Sequence, residues 1–438
     1  MSVSATRRSP AVRTLAVVLA ACLLLSSACA VNPVTGQEEL VLMSESQELA
    51  MGARYYPKTT QLNYGLPPDD PGLQAYVKRI GHYLAQHSHR PNIPWDFNVV
   101  NSNQVNAFAL PGGKISLTRA LLTHLHSEDE MASVLGHEIG HVAARHTVAQ
   151  YTRMVLVQLA IAGVALALSD TRFRHIGPLA AGVAGVLLML SYSRDQERQA
   201  DQLGYEYMVR CGYNPTGQVR TFEMFQRLHK REPGFIELLL SSHPLTRERI
   251  QASRRRVMMT NPRLVNRPLR LKPYRRALAR QMERLPAYQL AAKGDKAYDR
   301  ENYREAAAYY QQAIQRYSRD GVLYARRALA LVKCGQTRQA RPPAQRGAEL
   351  SPGVFLPNHV AGLVYLKLGN LSQAEHYLIR ADQLLPDHEL NKFLLGATYE
   401  RMGRPYQAIR IYRQLIRQSP SSPAAKKAKE RLKILGAG

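Results

Sequence analysis

The stretch VLGHEIGHVAARH, residues 134–146, places His137, Glu138 and His141 in H-E-x-x-H spacing. On a helix, positions four apart share a face, so both imidazoles can address one metal ion. Glu138 is turned about 100° from His137, where it can take a proton from an attacking water. These residue types at this spacing predict zinc-assisted hydrolysis. Two imidazoles do not hold a catalytic ion, so a third protein donor is required.

His146 is the nearest candidate. Ser127-Glu128-Asp129-Glu130 reads as a capping box that opens a helix running through His146. On that helix His146 stands about 140° around from His141 and faces away. The metzincin pattern needs Gly and His three and six residues past the second His; Ala144 and Thr147 stand there, which excludes that class. The remaining route takes a carboxylate from a later helix. The run SRDQERQADQLG, residues 193–204, offers Glu197 and Asp201 four apart on one face. Glu197 is assigned as third ligand and Asp201 as the carboxylate that orients a ligating imidazole. Gly136 and Gly140 weaken a helix interior but let another helix or the substrate approach.

Several elements must bring these residues together. Strands are expected at 96–100, 107–110 and 114–117, the last two joined by Pro111-Gly112-Gly113; the rest of the block 30–253 reads helical. Two apolar runs, 154–168 and 176–190, are each 15 residues long. Both fall short of the roughly 20 that span a bilayer. With the polar residues 169–175 between them they form a hairpin, 154–190, buried against the protein or dipping into a membrane. A hairpin returns the chain to its starting side, which brings Glu197 back to His141.

The two ends carry other signals. Arg7, Arg8 and Arg13 precede the apolar run 15–25, the pattern of an export signal over 1–29. Ala28-Cys29-Ala30 suits ordinary signal peptidase, whereas Ser27-Ala28-Cys29 resembles a lipobox in which Cys29 is lipidated. Both readings export the chain to the periplasm, and the second anchors it to the outer membrane. Cys211 and Cys334 have no spacing that argues for pairing and are expected free. In the last third, Ala306, Ala340, Ala374 and Ala408 recur every 34 residues, as do Gly335, Gly369 and Gly403, and Pro352, Pro386 and Pro420. This is the tetratricopeptide period, a helical solenoid suited to binding proteins. Four units are expected between 291 and 420 with a capping helix at 422–435. Pro342-Pro343 is expected to end the second unit's second helix early. The basic segment 254–290, with Pro262, Pro268 and Pro273, reads as a linker and entry helix. The formal charge of +26 favours anionic partners such as a membrane surface. No helix-turn-helix, zinc-finger or RNA-binding signature accompanies it, so nucleic acid is not expected.

HEIGH, the later SRDQERQADQLG and the chain order with repeats resemble the zinc metalloproteases of the prenyl-protease/HtpX superfamily. NPVTGQEE, residues 32–39, is similar to exported lipoprotein members. The resemblance implies an α+β, mainly α fold. A gluzincin-type helical metalloprotease domain with a small antiparallel sheet precedes an α-helical tetratricopeptide solenoid. It implies one Zn2+ per chain. It matches Asn106, Ala107, Phe108 and Ala109 to the strand beside the active site, whose edge could bind substrate as an added strand. His243 in SHPLTRER matches a histidine that reaches the zinc and holds the enzyme latent, and Arg249 an arginine without an assigned role. The implied function is a zinc endopeptidase of the bacterial envelope. Its substrates would be unfolded or misassembled envelope and outer-membrane proteins, with the outer-membrane assembly machinery as a further partner of the repeats. Two rivals stand beside it: a mainly non-proteolytic assembly scaffold, and a membrane-embedded protease with the hairpin as a span.

Overall fold

The computed structural model describes residues 29–167 and 191–437. The expected leader before Cys29 and the turn and return arm of the apolar hairpin, 168–190, lie outside the described residues. A short ribbon, β1 (Cys29–Val31) with β2 (Glu38–Leu40), precedes helices α1 (Glu45–Leu62) and α2 (Pro71–Gln86). Strands β3 (Asp96–Val100), β4 (Ala107–Leu110) and β5 (Lys114–Thr118) follow, near the expected bounds. Their order is β3-β5-β4, with β5 antiparallel to β4 and parallel to β3. The sheet is therefore mixed rather than antiparallel. β4 and β5 make a tight hairpin, but the loop 101–106 first carries the chain past the place that β5 fills. β4 is left at the edge.

After α3 (Arg119–His124) comes α4 (Glu128–Ala143), the centre of the first half of the chain. Ser127 caps it by accepting from the Glu130 amide at 3.1 Å. Every residue of α4 except His137 is buried. α5 (His146–Ala167) leads to the hairpin, and α6 (Arg194–Arg210) returns from it. α4 and α6 cross almost backbone to backbone. A Cβ on Gly204 would stand 2.7 Å from the His137 nitrogen, and one on Gly140 would stand 3.1 Å from the Ala200 carbonyl oxygen. No side chain fits between the helices there, which fixes the register of Glu197 and Asp201 against the two histidines.

The expected helix through His146 is interrupted. α4 stops at Ala143, and Arg145 takes a left-handed conformation with φ 55°. That conformation is unfavourable for a residue with a side chain. It is held because Arg145 Nε donates to Glu48 Oε2 at 3.0 Å and Nη2 to the Met43 carbonyl at 3.1 Å. Glu48 is buried and also accepts from Arg90 Nη1 at 2.7 Å. Leaving either charge unpaired there would cost several kcal/mol, roughly 3–5.

α7 (Thr216–Arg231), α8 (Pro233–Ser242) and α9 (Arg247–Met258) complete this half. The segment expected as a linker is largely helical. α10 (Pro262–Val265) is followed by α11 (Leu271–Asp299). The first half of α11 puts Tyr274 and Leu278 into the core built around α4; its second half puts Tyr288, Ala291 and Ala297 into the solenoid core. One helix therefore serves both halves.

The solenoid continues through α12 (Tyr303–Arg316), α13 (Gly321–Lys333), α14 (Thr337–Leu350), α15 (Phe355–Leu368), α16 (Leu371–Leu384), α17 (Glu389–Arg401) and α18 (Pro405–Gln418), closed by α19 (Pro423–Ile434). α14 runs through Pro342 and Pro343, contrary to the expected break. Pro343 is buried on the same face as Ala340, Ala344 and Gly347, and this packing outweighs the helix penalty of about 3 kcal/mol per proline. The solenoid bends back onto the first half of the chain. Gln61 Nε2 donates to the Gly353 carbonyl at 3.0 Å, and Asn101 Nδ2 to Asp320 Oδ2 at 2.8 Å. Cys211 and Cys334 are free. Among the described residues no helix is long and apolar enough to cross a membrane.

Candidate metal centre

His137 and His141 come from α4, Glu197 from the first turns of α6, and His243 from the residue that caps α8. Their donor atoms all lie within 4.8 Å of one another. His137 Nε2 is 3.0 Å from His141 Nε2 and 3.6 Å from Glu197 Oε2. His141 Nε2 is 3.2 Å from Glu197 Oε1. His243 Nδ1 is 3.3 Å from His137 Nε2 and 2.9 Å from Glu197 Oε1. Donors of a tetrahedral zinc site, each about 2.0–2.1 Å from the ion, stand roughly 3.3 Å apart. The four side chains converge with that spacing.

The charge balance also fits a divalent cation. Glu138, Glu197 and Asp201 bring three buried carboxylates. Among the described residues Arg249 is the guanidinium that pairs with them. With neutral imidazoles and all three carboxylates ionised, two negative charges remain, which one divalent ion would balance.

Each ligand candidate is held from behind. Asp201 Oδ1 lies 3.0 Å from His137 Nδ1, so the ring carries its proton there and turns the Nε2 lone pair to the cluster. Arg249 grips Asp201 with a fork, Nε to Oδ2 and Nη2 to Oδ1, both 2.7 Å. Its Nη1 donates to the Pro244 carbonyl at 2.8 Å. Nη1 also lies 2.5 Å from Glu197 Oε2, a charge contact without hydrogen-bond alignment, since that oxygen has no hydrogen-bond partner. Arg249 thus ties α6 to the loop that carries His243.

Burial governs the protonation of the group. It holds the Glu138 carboxyl above its ordinary range, against the opposing influence of His243 and His137. It pushes His141 well below the ordinary histidine value. For Glu197 burial acts upward, but the neighbouring His243 and His137, with hydrogen bonds from His141 and His243, outweigh it and keep the carboxyl well below its ordinary range. Asp201 is lowered too, because Arg249 outweighs the effect of burial. Glu138 Oε2 is buried with no hydrogen-bond partner, and Oε1 is 3.7 Å from His243 Nε2.

Asn106, Ala107, Phe108 and Ala109 form the start of the edge strand β4 and its approach, and all four are buried. Ala107 shares a cavity with Val134, His137, Glu138, Phe222 and Phe225. Sequence reasoning missed the surroundings of His141. His146 does not face away: its Nδ1 is 2.9 Å from His141 Nδ1, and its Nε2 is 2.8 Å from Gln199 Oε1. The Tyr192 ring stacks on His141 with centroids 3.8 Å apart. The cause is the left-handed Arg145, which swings His146 back under the site. Nothing in the local sequence marks that turn.

Residues 71–257 match the family model "Peptidase family M48", and residues 392–422 match "Tetratricopeptide repeat". The "Beta-barrel assembly-enhancing protease" of Yersinia pestis is 31% identical over 239 residues, covering 52% of this chain and 48% of that protein. The protein of the same name from Escherichia coli (strain K12) is 30% identical over 51% of this chain and 46% of its own length. The "Mitochondrial metalloendopeptidase OMA1" of Arabidopsis thaliana is 32% identical over 41% of this chain and 35% of its own length. The chain spans about half the length of the assembly-enhancing relatives it matches. Among solved structures, YrrB, a tetratricopeptide protein, is 23% identical with TM-score 0.31, over 35% of this chain and 78% of its own.

Proposed function

We propose that this chain, which carries a peptidase family M48 domain ahead of tetratricopeptide repeats, is a latent zinc endopeptidase acting on protein clients. The observation that carries the reading is the convergence of His137, His141, Glu197 and His243 beside a buried, unpartnered Glu138 oxygen. His137, His141 and Glu197 hold one Zn2+. When bound, the ion supplies a Lewis acid that polarises the scissile carbonyl and makes water more acidic. Glu138 takes the proton of the attacking water and passes it to the leaving amine. Asp201 keeps His137 in the tautomer that donates through Nε2, and Arg249 keeps Asp201 and Glu197 ionised and in place.

His243 is the latch. Its Nδ1 stands where the attacking water and substrate must enter, so it has to leave before a client is cut. The edge of β4 receives the client backbone. The apolar wall of Val134, Phe222, Phe225, Leu239 and Leu245 receives a side chain beside the scissile bond. The solenoid reaches the latch through α8. Glu232, next to the start of α8, pairs with Lys296 of α11 at 2.9 Å, and His243 caps the other end of that helix. Client binding on the repeats therefore acts on the element that carries His243.

The names of the assembly-enhancing relatives and the export signal read in residues 1–29 support envelope clients, in particular unfolded or misassembled β-barrel proteins. Glu138→Gln is the test. The variant should keep one zinc per chain and lose cleavage by about a thousandfold or more, within the range of a lost catalytic group. Persistent cleavage would reject the mechanism. The word "assembly" in those names favours a second role as a scaffold. Full rescue of a null strain by the Glu138→Gln protein would establish that role as the main one.

A further inference from the structure

We infer that His146 and Gln199 form a hydrogen-bond relay that fixes the tautomer of His141 and thereby tunes the affinity of the metal site. The inference rests on the proposed zinc ligation and extends it to two residues outside the ligand set. His141 Nε2 faces the other donors, so as a ligand it must present a lone pair there. Its proton is then on Nδ1. That nitrogen is 2.9 Å from His146 Nδ1. Two N–H groups cannot point at each other, so His146 Nδ1 is the acceptor, and its own proton is on Nε2. There it meets Gln199 Oε1 at 2.8 Å. One assignment satisfies every nitrogen: Gln199 accepts from His146, His146 accepts from His141, and His141 is left free to donate its pair to the ion.

The placement is built by the fold. His141 and His146 are both buried, so neither ring can trade its partner for water. His146 reaches His141 only because Arg145 turns the chain. Gln199 lies between Glu197 and Asp201 on α6, so one helix turn supplies a ligand, the partner of His137 and the end of the relay for His141. The two ligating histidines are therefore oriented by different means: His137 by the carboxylate of Asp201, His141 by a neutral imidazole backed by an amide. His146 and Gln199 act through His141 and are positioning residues.

The experiment measures zinc affinity of the full chain by competition with a chromophoric chelator. It compares the wild type with His146→Ala, His146→Asn, Gln199→Glu and Gln199→Lys, with unfolding of each zinc-free protein followed alongside. Loss of the partner behind a ligating histidine typically weakens metal binding about 10–100-fold. His146→Ala and Gln199→Lys should show that loss. His146→Asn, whose Oδ1 can take the place of Nδ1 as acceptor, should return to within a few fold of wild type. Gln199→Glu should bind zinc as tightly as wild type or more tightly. Wild-type affinity in His146→Ala would overturn the relay, as would His146→Asn binding no better than His146→Ala. If His146→Ala does not fold, the Gln199 pair decides: equal affinities for Glu and Lys would overturn it. His137→Ala serves as the control on the underlying reading; wild-type zinc binding by that variant would reject the ligand set itself.

Discussion

Replacing Arg249 by Ala should destabilise the metal-free protein far more than the metal-loaded one. Arg249 is buried and bridges Asp201, Glu197 and the Pro244 carbonyl. Without it, two buried carboxylates lose their permanent counter-charge. Breaking a buried ion pair from one side costs about 3–5 kcal/mol. With zinc bound as proposed, the ion would offset the charge of Glu197, and the remaining cost would be the lost fork on Asp201, about 1.5–3 kcal/mol. The assay is supplied by the chain itself. Its single tryptophan, Trp95, is buried in the catalytic core, so its fluorescence reports unfolding of this half and not of the solenoid. For a urea dependence of about 2–3 kcal/mol per M, the midpoint in chelator should fall by roughly 1–2 M, and by about half that in zinc. An unchanged midpoint in chelator would refute the argument. So would equal shifts in both conditions, because then the ion and Arg249 do not share the charge of Glu197.

His243→Ala should raise cleavage of labelled casein several-fold; unchanged turnover rejects the latch. Gly204→Ala places a methyl 2.7 Å from the His137 nitrogen, so the helices must part. The expected cost is about 1–3 kcal/mol with loss of zinc, and a variant with full zinc content and wild-type Trp95 unfolding would contradict the close crossing. In the solenoid, His359 is buried with Nδ1 on Asn391 Oδ1 at 3.0 Å, and burial lowers its pKa to about 4. The unfolded chain protonates first as pH falls, so this stability is complete above about 6.5 and is lost toward 4, amounting to about 3 kcal/mol at most. Far-UV unfolding at pH 7 and 4.5 should show a smaller pH effect in His359→Gln, and an equal effect would exclude His359 as the source.

The residues of the site were legible where helical periodicity alone decides geometry. His137 with His141, and Glu197 with Asp201, each share a face because four positions nearly close a turn, and the structure brings all four together. The period of 34 likewise exposed the solenoid, since each helix pair repeats its small contact residues. Legibility failed where tertiary contacts override local preference. Arg145 adopts φ 55° because a buried Glu48 from a distant helix holds its guanidinium, and no local pattern announces that. Pro342 and Pro343 remain helical because their neighbours bury one face. The basic run before residue 290 looked like a linker because its surface is charged, but Tyr274 and Leu278 anchor α11 in the catalytic core.

The asymmetry among the four donors argues which of them can move. His137 is backed by Asp201, His141 by His146, and Glu197 by Arg249, each partner itself fixed by further bonds. His243 differs. Its Nδ1 contacts are to Glu197 and His137, members of the cluster, while its Nε2 comes no nearer than 3.7 Å to Glu138 Oε1. Among the described residues its ring has no hydrogen-bond partner outside the cluster; the Tyr192 ring packs beside it with centroids 5.2 Å apart. His243 also caps α8, just before Pro244, whereas the other three sit within helices that cross with no room to shift. A donor whose ring makes its hydrogen bonds only within the cluster can turn away without breaking a hydrogen bond that holds another ligand in place. The Arg249 bond to the Pro244 carbonyl and the bond from the Tyr192 amide to the Ser242 carbonyl at 3.1 Å hold the loop on either side of His243.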